Sequence, residues 1–339
     1  MSDIFALAKE KIIISAEIGI NHNGNLSLAE KMIDAAAQCG VDAVKFQAFN
    51  TEFMYSRLAP GFKHTENDVF DQVKALEIDE SGWPELRERA RKHGLFFSSS
   101  AFDLPSLEIL KRTGLDFIKI ASGEIDNLEF ILRHMELGDN FVISTGMAYL
   151  EEIAAVVRFL KERNITKIIL LECTSSYPAP PESTHLLNID FLAETFHLPV
   201  GFSDHTMGTH HAIAAAARGA RFIEKHFTLD KNMIGPDHKI SADVAEMKEL
   251  VRMVREIEIS LKTNGKSVVS SHEEEARELG RKSVVAFQRI ARGEIISRSN
   301  TIIKRPAKGI KPSEAHFLYG RSAAADIEKD QWITWNMVK

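Results

Sequence analysis

Short apolar runs alternate with amphipathic stretches along the first three quarters of the chain. The eight apolar runs occupy residues 12–19, 42–48, 95–102, 117–122, 141–146, 167–174, 199–206 and 221–228. The eight stretches with helical spacing of apolar residues are 27–40, 81–93, 104–113, 127–138, 150–163, 185–196, 209–218 and 242–261. Eight strand–helix units in about 250 residues predict a (β/α)8 TIM barrel. A doubly wound open sheet is the alternative, but the first run is not followed by the GxGxxG of dinucleotide-binding sheets.

The pattern changes after Leu261. Residues 263–277 are polar and charged, and they predict a linker that runs into a short helix. Short runs typical of strands follow at 283–290 and 301–306, which predicts a small β-rich domain that packs on a partner. The expected organisation is a barrel domain at 1–262, a linker at 263–277 and a small domain at 278–339.

In five of the predicted strands, the ionisable residues share one of the two alternating side-chain phases. In the first run, Ile14, Ala16 and Ile18 fall in one phase, and Ser15 and Glu17 fall in the other. One phase of a barrel strand faces the helices and the other faces the interior, and barrel enzymes place their active sites at the carboxyl ends of the strands. The late residues of the polar phase are Glu17, Lys45, Lys119, His205, Glu224 and His226. Burying these charges is costly unless they bind something, so we predict a functional site at the barrel mouth.

Two of these residues suit a divalent cation. His205 and His226 come from adjacent predicted strands, so that their imidazoles can converge. Two imidazoles with water and substrate oxygens suit Mn2+, with Fe2+, Co2+ or Mg2+ as alternatives. A cation with open positions can polarise a carbonyl oxygen.

The other polar residues suit an anionic substrate and proton transfer. Lys45 and Lys119 are fixed positive charges that match phosphate and carboxylate oxygens. Serines at the strand ends can donate hydrogen bonds to the same anion. Glu17 and Glu124 are candidates for proton transfer. Three alternatives stay open: a Schiff-base aldolase that uses one of the lysines, a metal-assisted hydrolase, and a non-catalytic sugar-binding barrel.

The segment 51–80 is longer than a usual connection between a strand and its helix. Insertions that follow a barrel strand lie over the catalytic face, so this segment predicts a loop that covers the substrate. The alternative is a solvent-exposed loop that has no function.

Composition excludes several classes of protein. The 339 residues carry a formal net charge of −6, which argues against nucleic-acid binding. The two cysteines, Cys39 and Cys173, exclude a disulfide scaffold and fit a reducing compartment. No apolar run is long enough to cross a membrane, and the N-terminal residues lack the apolar core of a signal peptide. We therefore expect a cytoplasmic protein with no membrane partner.

Several motifs resemble one enzyme family. They are AEIGINHNG (16–24), VKFQ (44–47), IKIASGE (118–124), STGM (144–147), CTSSYP (173–178), GFSDHT (201–206), EKHFTLD (224–230) and GPDHK (235–239). In this order they resemble the N-acetylneuraminate (sialic acid) synthases, a group that includes legionaminic and pseudaminic acid synthases. KRPAKGI (304–310) and LYGRSAAADI (318–327) resemble the C-terminal antifreeze-like (SAF) domain of that family.

The resemblance implies a reaction and a set of site residues. The family condenses phosphoenolpyruvate with the open-chain aldehyde of an N-acylated mannosamine-type sugar, giving a nine-carbon 2-keto acid and phosphate. The residues that match its catalytic groups are Glu17, Lys45, Lys119 and Glu124. Those that match its phosphoenolpyruvate site are Lys45, Ser100, Lys119, Ser122, Ser144 and Ser203. Those that match its sugar site are Glu17, Ser175, Tyr177, Asp237 and Arg305, and those that match its metal ligands are His205 and His226.

The resemblance also implies an assembly, and it leaves the sugar open. Arg305 matches an arginine that reaches the sugar from the neighbouring subunit, which implies a domain-swapped homodimer. Ser175 stands where some sialic acid synthases have asparagine. GPDHK is typical of the sialic and legionaminic types, which argues weakly against a pseudaminic acid synthase. The acceptor is therefore expected to be N-acetylmannosamine or a 2,4-diacetamido-2,4,6-trideoxyhexose.

Overall fold

The computed structural model describes residues 3–56, 69–262 and 265–339. The chain divides into two compact units, Met1–Lys262 and Thr263–Lys339. In the described part of the chain, no helix is long and apolar enough to cross a membrane.

The first unit is built around eight parallel strands. They are β1 Ile13–Gly19, β2 Ala43–Ala48, β3 Phe96–Ala101, β4 Ile118–Ile120, β5 Asn140–Ser144, β6 Lys167–Cys173, β7 Val200–Asp204 and β8 Phe222–His226. Their order is β3-β2-β1-β8-β7-β6-β5-β4, so β3 and β4 are the two ends of the order. The backbone N–H of Asp116 donates to the Phe97 carbonyl at 3.0 Å, and the Ser98 hydroxyl donates to the Phe117 carbonyl at 2.7 Å. These bonds link the two end strands, and the predicted barrel is confirmed.

Helices surround the strands and occupy several connections. Those of the first unit are α1 Ile4–Glu10, α2 Leu26–Cys39, α3 Thr51–Met54, α4 Val69–Lys74, α5 Gly82–Lys92, α6 Leu104–Thr113, α7 Leu128–His134, α8 Leu150–Lys161, α9 Asn188–Phe196, α10 His210–Ala217 and α11 Val244–Ser260. Local signals set their ends. The Asn25 side chain accepts from the Leu28 N–H at the start of α2, and Gly40 ends that helix at φ 80°. Asp243 and Glu246 form a capping box at the start of α11.

Apolar side chains form two separate cores, as the alternation of the strands predicts. Ile14, Ala16 and Ile18 belong to the outer core between strands and helices. Ile13 belongs to the inner core, and it is joined there by inward residues of the other strands. The members of the inner core are Ile4, Phe5, Ala8, Ile13, Ala43, Phe96, Phe117, Val142, Ile169, Leu171 and Phe222.

Helix α1 closes the inner core and was not predicted. Asp3 caps its first turn, and Ile4, Phe5 and Ala8 are buried against the inward side chains of the strands. With seven residues, α1 is too short to show a clear helical period. The predicted covering loop at 51–80 contains α3 and α4, and residues 57–68 lie outside the described part of the chain.

The second unit is small and has its own core. It contains α12 Ser271–Gly280, β9 Ser283–Ala286, β10 Thr301–Lys304 and α13 Ala315–Leu318, and β9 and β10 pair antiparallel. Because α12 begins at Ser271, the later part of the segment predicted as a linker is helical. Val284, Ile290 and Ile327 are among the residues that form its core.

Candidate active site at the carboxyl end of the barrel

Strand register brings the first group of charges together. Glu17 lies opposite Lys45 of β2 and opposite His226 of β8. The Lys45 Nζ lies 2.7 Å from the Glu17 Oε1, and both side chains are buried. The Gln47 Nε2 donates to the same oxygen at 3.0 Å. The parallel register of three neighbouring strands therefore fixes an ion pair inside the barrel mouth.

A second group of charges surrounds Lys119. Its Nζ donates to the Ser144 Oγ at 2.6 Å and to the Ile120 carbonyl at 3.1 Å, and it lies 3.7 Å from the Glu224 Oε1. The Ser203 hydroxyl donates to that same Glu224 oxygen at 2.8 Å. Two lysines and two carboxyl groups, all with buried side chains, thus face one small volume.

Burial and mutual attraction set the protonation of these groups. Burial raises the pKa of Glu17, an effect that the Lys45 ammonium opposes and the Glu224 carboxylate reinforces. Burial also lowers the pKa of Lys119, although Glu224 opposes it. For Glu224, Lys119 and Lys45 outweigh burial and hold its pKa below the ordinary value. Because these four groups lie so close together, the proton lost or gained by one changes the pKa of the others, and they titrate as one coupled set.

The two predicted metal ligands lie side by side. The ring centroids of His205 and His226 are 5.4 Å apart. The Thr174 carbonyl lies 2.8 Å from the His205 Nδ1, and because a carbonyl only accepts, that nitrogen carries the proton and leaves Nε2 free. Burial lowers the pKa of His226 well below its ordinary value, and His205 and Lys45 lower it further. His226 is therefore arranged as a neutral imidazole, the form that binds cations. For His205, the contacts with Cys173 and the Thr174 carbonyl outweigh burial and raise its pKa, so binding a cation there would displace a proton.

The protein itself offers few further ligands for such a cation. The buried His226 Nδ1 has no hydrogen-bond partner in the part of the chain that the structure describes, and the Asp237 Oδ2 is 3.8 Å away. Within the described ranges, no group of three or more His, Cys, Asp and Glu side chains converges. Structural zinc sites have four protein ligands, which this site does not offer. Two imidazoles, completed by oxygens from water and substrate, suit Mn2+ better.

A cavity of about 320 Å³ connects these groups. Of the residues predicted for the site, those that line it are Glu17, Lys45, Lys119, Ser122, Ser144, Ser175, Tyr177, Ser203, His205 and His226. The Tyr177 ring stacks beside His205, with centroids 4.3 Å apart. The structure thus brings ten of the predicted residues to one place.

Four predicted residues do not line the smaller cavity, although one of them, Asp237, lies close to His226. Glu124 and Asp237 line a larger neighbouring cavity of about 1140 Å³, which shares Gln47 with the smaller one. Ser100 is buried on β3 and is not among the lining residues, and its hydroxyl has no partner among the described residues. Arg305 follows β10 in the second unit, and its side chain is exposed.

The sequence-based prediction gave no role to two ionisable residues that line the cavity, Cys173 and Glu224. The Cys173 thiol lies 3.6 Å from the Ser122 Oγ and 3.8 Å from the His205 Nδ1. Its position in the inward phase of β6, after Ile169 and Leu171, was a usable signal. Glu224 was recognised as an inward charge but received no role, although it contacts Lys119 and a serine.

The fold and the site define a class. They describe a (β/α)8 barrel in which two buried lysines and two neighbouring histidines face one cavity at the carboxyl ends of the strands, where barrel enzymes place their active sites. The chain belongs to the NeuB family, whose model matches residues 32–266, and an SAF domain model matches residues 281–339. The family predicted from the motifs is therefore confirmed.

Individual relatives agree with this assignment. The N,N'-diacetyllegionaminic acid synthase of Campylobacter jejuni is 42% identical over 96% of this chain and 99% of the relative. The human N-acetylneuraminate-9-phosphate synthase is 34% identical over 96% of this chain and 92% of the relative. The crystal structure of the sialic acid synthetase from Leptospira borgpetersenii in complex with citrate has a TM-score of 0.70 at 35% identity, covering 78% of this chain and 90% of that one.

Proposed function

We propose that this enzyme condenses phosphoenolpyruvate with the open-chain aldehyde of an N-acylated mannosamine-type sugar. The products are a nine-carbon 2-keto sugar acid and phosphate. The observation that carries the proposal is the pair of buried lysines, Lys45 and Lys119, that face one cavity with His205 and His226. The legionaminic and sialic acid synthases among its relatives support it.

The lysines and serines would bind phosphoenolpyruvate. Lys45 and Lys119 match its phosphate and carboxylate oxygens in charge, and their partners hold them in place. The serines proposed to donate hydrogen bonds to the anion are Ser100, Ser122, Ser144 and Ser203. Ser100 has no other hydrogen-bond partner among the described residues, which leaves its hydroxyl available.

His205 and His226 would hold the divalent cation, with Mn2+ first and Mg2+ or Co2+ as alternatives. Bound there, the cation would supply Lewis-acid polarisation of the aldehyde oxygen. The hydrogen bond from the His205 Nδ1 to Thr174 orients that ring and leaves its other nitrogen toward the cavity.

Glu17 is the residue proposed to move protons. The reaction joins the vinyl carbon of phosphoenolpyruvate to the aldehyde carbon. Water adds at the adjacent carbon, whose bond to the phosphate oxygen then breaks. The water gives up both of its protons: one balances the proton that the new hydroxyl gains, and the other leaves with the phosphate, as HPO4 2−, when the ketone forms. Burial raises the pKa of both Glu17 and Glu124, so position decides between them: Glu17 lines the cavity with the lysines and histidines, and Glu124 lines the larger cavity, where we assign it to the sugar.

The sugar would be bound by Ser175, Tyr177 and Asp237 together with Arg305 of the partner subunit in a domain-swapped homodimer. Exposed apolar side chains near the barrel mouth support a surface that a second copy covers. They are Met147, Tyr149, Leu187, Phe191 and Met207. A cytoplasmic location, and the absence of nucleic-acid and membrane partners, stay predictions.

The direct test measures phosphate release and the nine-carbon product with phosphoenolpyruvate, an acetamido-mannose aldehyde and Mn2+. Phosphoenolpyruvate that carries heavy oxygen at the bridging position should deliver the label to the phosphate. We expect His226→Ala to remove turnover, whereas His210→Ala, an exposed histidine of α10, should keep it. Arg305→Ala should raise the KM for the sugar. Full activity of chelator-treated His226→Ala would contradict the proposed site.

A Schiff-base aldolase is the second candidate, because burial lowers the pKa of Lys119. Borohydride would then trap a substrate adduct on this lysine, and mass spectrometry would locate it. We expect no adduct. Sugar binding without turnover or metal dependence would instead identify a non-catalytic barrel.

A further inference from the structure

An ion pair on the outer face of the barrel lies directly behind the two histidines. Asp204 of β7 stands opposite Lys225 of β8 in the parallel register, and each of them precedes one of the histidines by one residue. Side chains alternate along a strand, so this pair points away from the cavity while the two rings face it. The exposed fraction is 0% for the Asp204 side chain and 1% for that of Lys225. The same two strands therefore carry a buried ion pair on one face and a pair of imidazoles on the other.

Lys225 binds the chain on both sides of His205. Its Nζ lies 2.9 Å from the Asp204 Oδ2 and donates to the Thr206 carbonyl at 2.5 Å. The Asp204 Oδ1 accepts from the Thr206 backbone N–H at 2.8 Å and from the Thr206 hydroxyl at 2.7 Å. The residues before and after His205 are thus tied to each other and to the strand that bears His226. These bonds fix the distance between the main chains of the two histidines.

The other supports of the two rings differ. The His205 Nδ1 is hydrogen-bonded to the Thr174 carbonyl, whereas the His226 Nδ1 has no hydrogen-bond partner among the residues that the structure describes. The His226 carbonyl accepts from the Ala242 N–H at 2.7 Å, which holds its main chain in place. The placement of the two rings relative to each other therefore depends on the bonds that join their strands.

Stability alone does not account for an ion pair in this environment. The neighbouring outward residues of β7 and β8 are apolar members of the outer core, namely Phe202, Ile223 and the adjoining Phe227. Replacing a buried ion pair by apolar residues of similar volume is often neutral or stabilising, because both charges must be removed from water. A cation site with only two protein ligands, in contrast, gains affinity when its ligands are held at the right spacing before the cation binds.

We propose that Asp204 and Lys225 are positioning residues, which set the spacing of His205 and His226 and thereby the affinity for the divalent cation. This inference rests on the cation site proposed above. Neither Asp204 nor Lys225 belongs to the described lining of the cavity, so they act through the main chain and not by contact with the cation. Removing the ion pair should weaken cation binding while both ligands remain in the protein.

Binding of Mn2+ to the full-length protein without substrates tests the inference independently of turnover. The electron paramagnetic resonance signal of free Mn2+ falls as the ion binds, which gives a Kd. Asp204→Asn/Lys225→Met removes both charges together, so that neither is left buried alone, and asparagine keeps an acceptor oxygen for Thr206. We expect this double variant to bind Mn2+ with a Kd about 10-fold to 100-fold above the wild-type value. The Mn2+ concentration that gives half-maximal turnover should rise with the Kd.

Arg255→Met is the matched control. Arg255 of α11 donates to the Asp42 Oδ2 at 2.7 Å, and Asp42 precedes β2 at the amino end of the barrel. This variant also breaks an ion pair, so it should lower the free energy of unfolding, but it should keep the wild-type Kd for Mn2+. Urea unfolding establishes that each variant is folded. Asp204→Asn alone, which preserves the size of the side chain, replaces the double variant if that variant does not fold, with an expected rise in Kd of about tenfold.

The outcomes separate the positioning role from the cation site itself. A wild-type Kd in the folded double variant, or in Asp204→Asn where that variant replaces it, would overturn the positioning role and leave the cation site intact. An equal loss of affinity in Arg255→Met would also overturn it, because the Kd would then follow stability. If the wild type bound no Mn2+, or if His226→Ala bound it as tightly as the wild type, the proposed cation site would be wrong, and the positioning role would fall with it.

Discussion

The two ends of the barrel interior are built from the same strands, but one end is an apolar core and the other is a cluster of charged side chains. At the amino end, inward side chains such as Phe117 and Phe222 pack edge to face with centroids 5.7 Å apart, and α1 covers them. Two residues further along the same strands, Lys119 and Glu224 face the cavity. Successive inward residues on one strand can therefore belong to the apolar core and to the cluster of buried charges.

This difference separates stability from function. The apolar end removes hydrocarbon from water, which favours folding. The charged end leaves buried oxygens of Glu17 and Glu224 without hydrogen-bond partners among the described residues, which disfavours folding. Water, a sugar hydroxyl or a cation could satisfy these acceptor oxygens, and an anionic substrate would pair with the lysines. The barrel mouth is therefore best explained as a site whose charges are compensated by ligands.

The largest expected effect comes from breaking the charged end. Lys119→Met should lower kcat/KM by about 10³-fold, because a fixed positive charge on the anionic substrate is lost. It should also lower the free energy of unfolding by about 3 kcal/mol, since Glu224 keeps a buried charge with one partner fewer. Steady-state kinetics and urea unfolding measure the two effects.

The double variant Lys119→Met/Glu224→Met is the control for this interpretation. It removes one charge of each sign and leaves the Lys45–Glu17 pair intact. We expect it to be at least as stable as the wild type while remaining inactive. If the double variant were less stable than Lys119→Met, the charges of Lys119 and Glu224 would stabilise the folded protein, which would contradict the comparison.

The apolar end should respond in the opposite way. Phe5→Ala empties part of the core beneath α1 and should lower the free energy of unfolding by about 3 kcal/mol. At a temperature where the variant is folded, kcat/KM should stay close to the wild-type value. Lys9→Ala, an exposed position on the same helix, should change neither quantity. A large loss of turnover in folded Phe5→Ala would show that packing at the apolar end affects catalysis, which would contradict the comparison.

The last effect appears only when the pH is changed, and it concerns a buried carboxyl outside both ends. Glu172 lies in the outward phase of β6, and burial raises its pKa from 4.5 to about 7 despite a hydrogen bond from Asn188. Between these values the folded protein holds a proton that the unfolded chain has released. The free energy of unfolding therefore falls as pH rises through this window, and Glu172→Gln should reduce that fall by up to about 3 kcal/mol. An unchanged pH dependence in urea unfolding would show that Glu172 stays ionised.

The sequence predicts those parts that depend on periodicity. Alternation along the strands correctly placed Glu17, Lys45 and His226 on one inner face, because a side-chain period of two survives folding. It did not place Asp237 or Glu124, which lie in connections after strands. Their positions depend on contacts between loops distant in sequence, such as the bond from Asn23 to Ile234. Short elements such as α1 are also not predicted, because they are too short to show a period and are stabilised by tertiary burial.

A crystal structure of the protein with phosphoenolpyruvate and Mn2+ tests the central claim most directly. Anomalous scattering locates the manganese independently of the protein density. We predict one strong peak beside His205 and His226, with the enol phosphate bound by Lys45 and Lys119. Manganese or phosphoenolpyruvate bound elsewhere, with the two lysines still paired only to Glu17 and Glu224, would contradict the account.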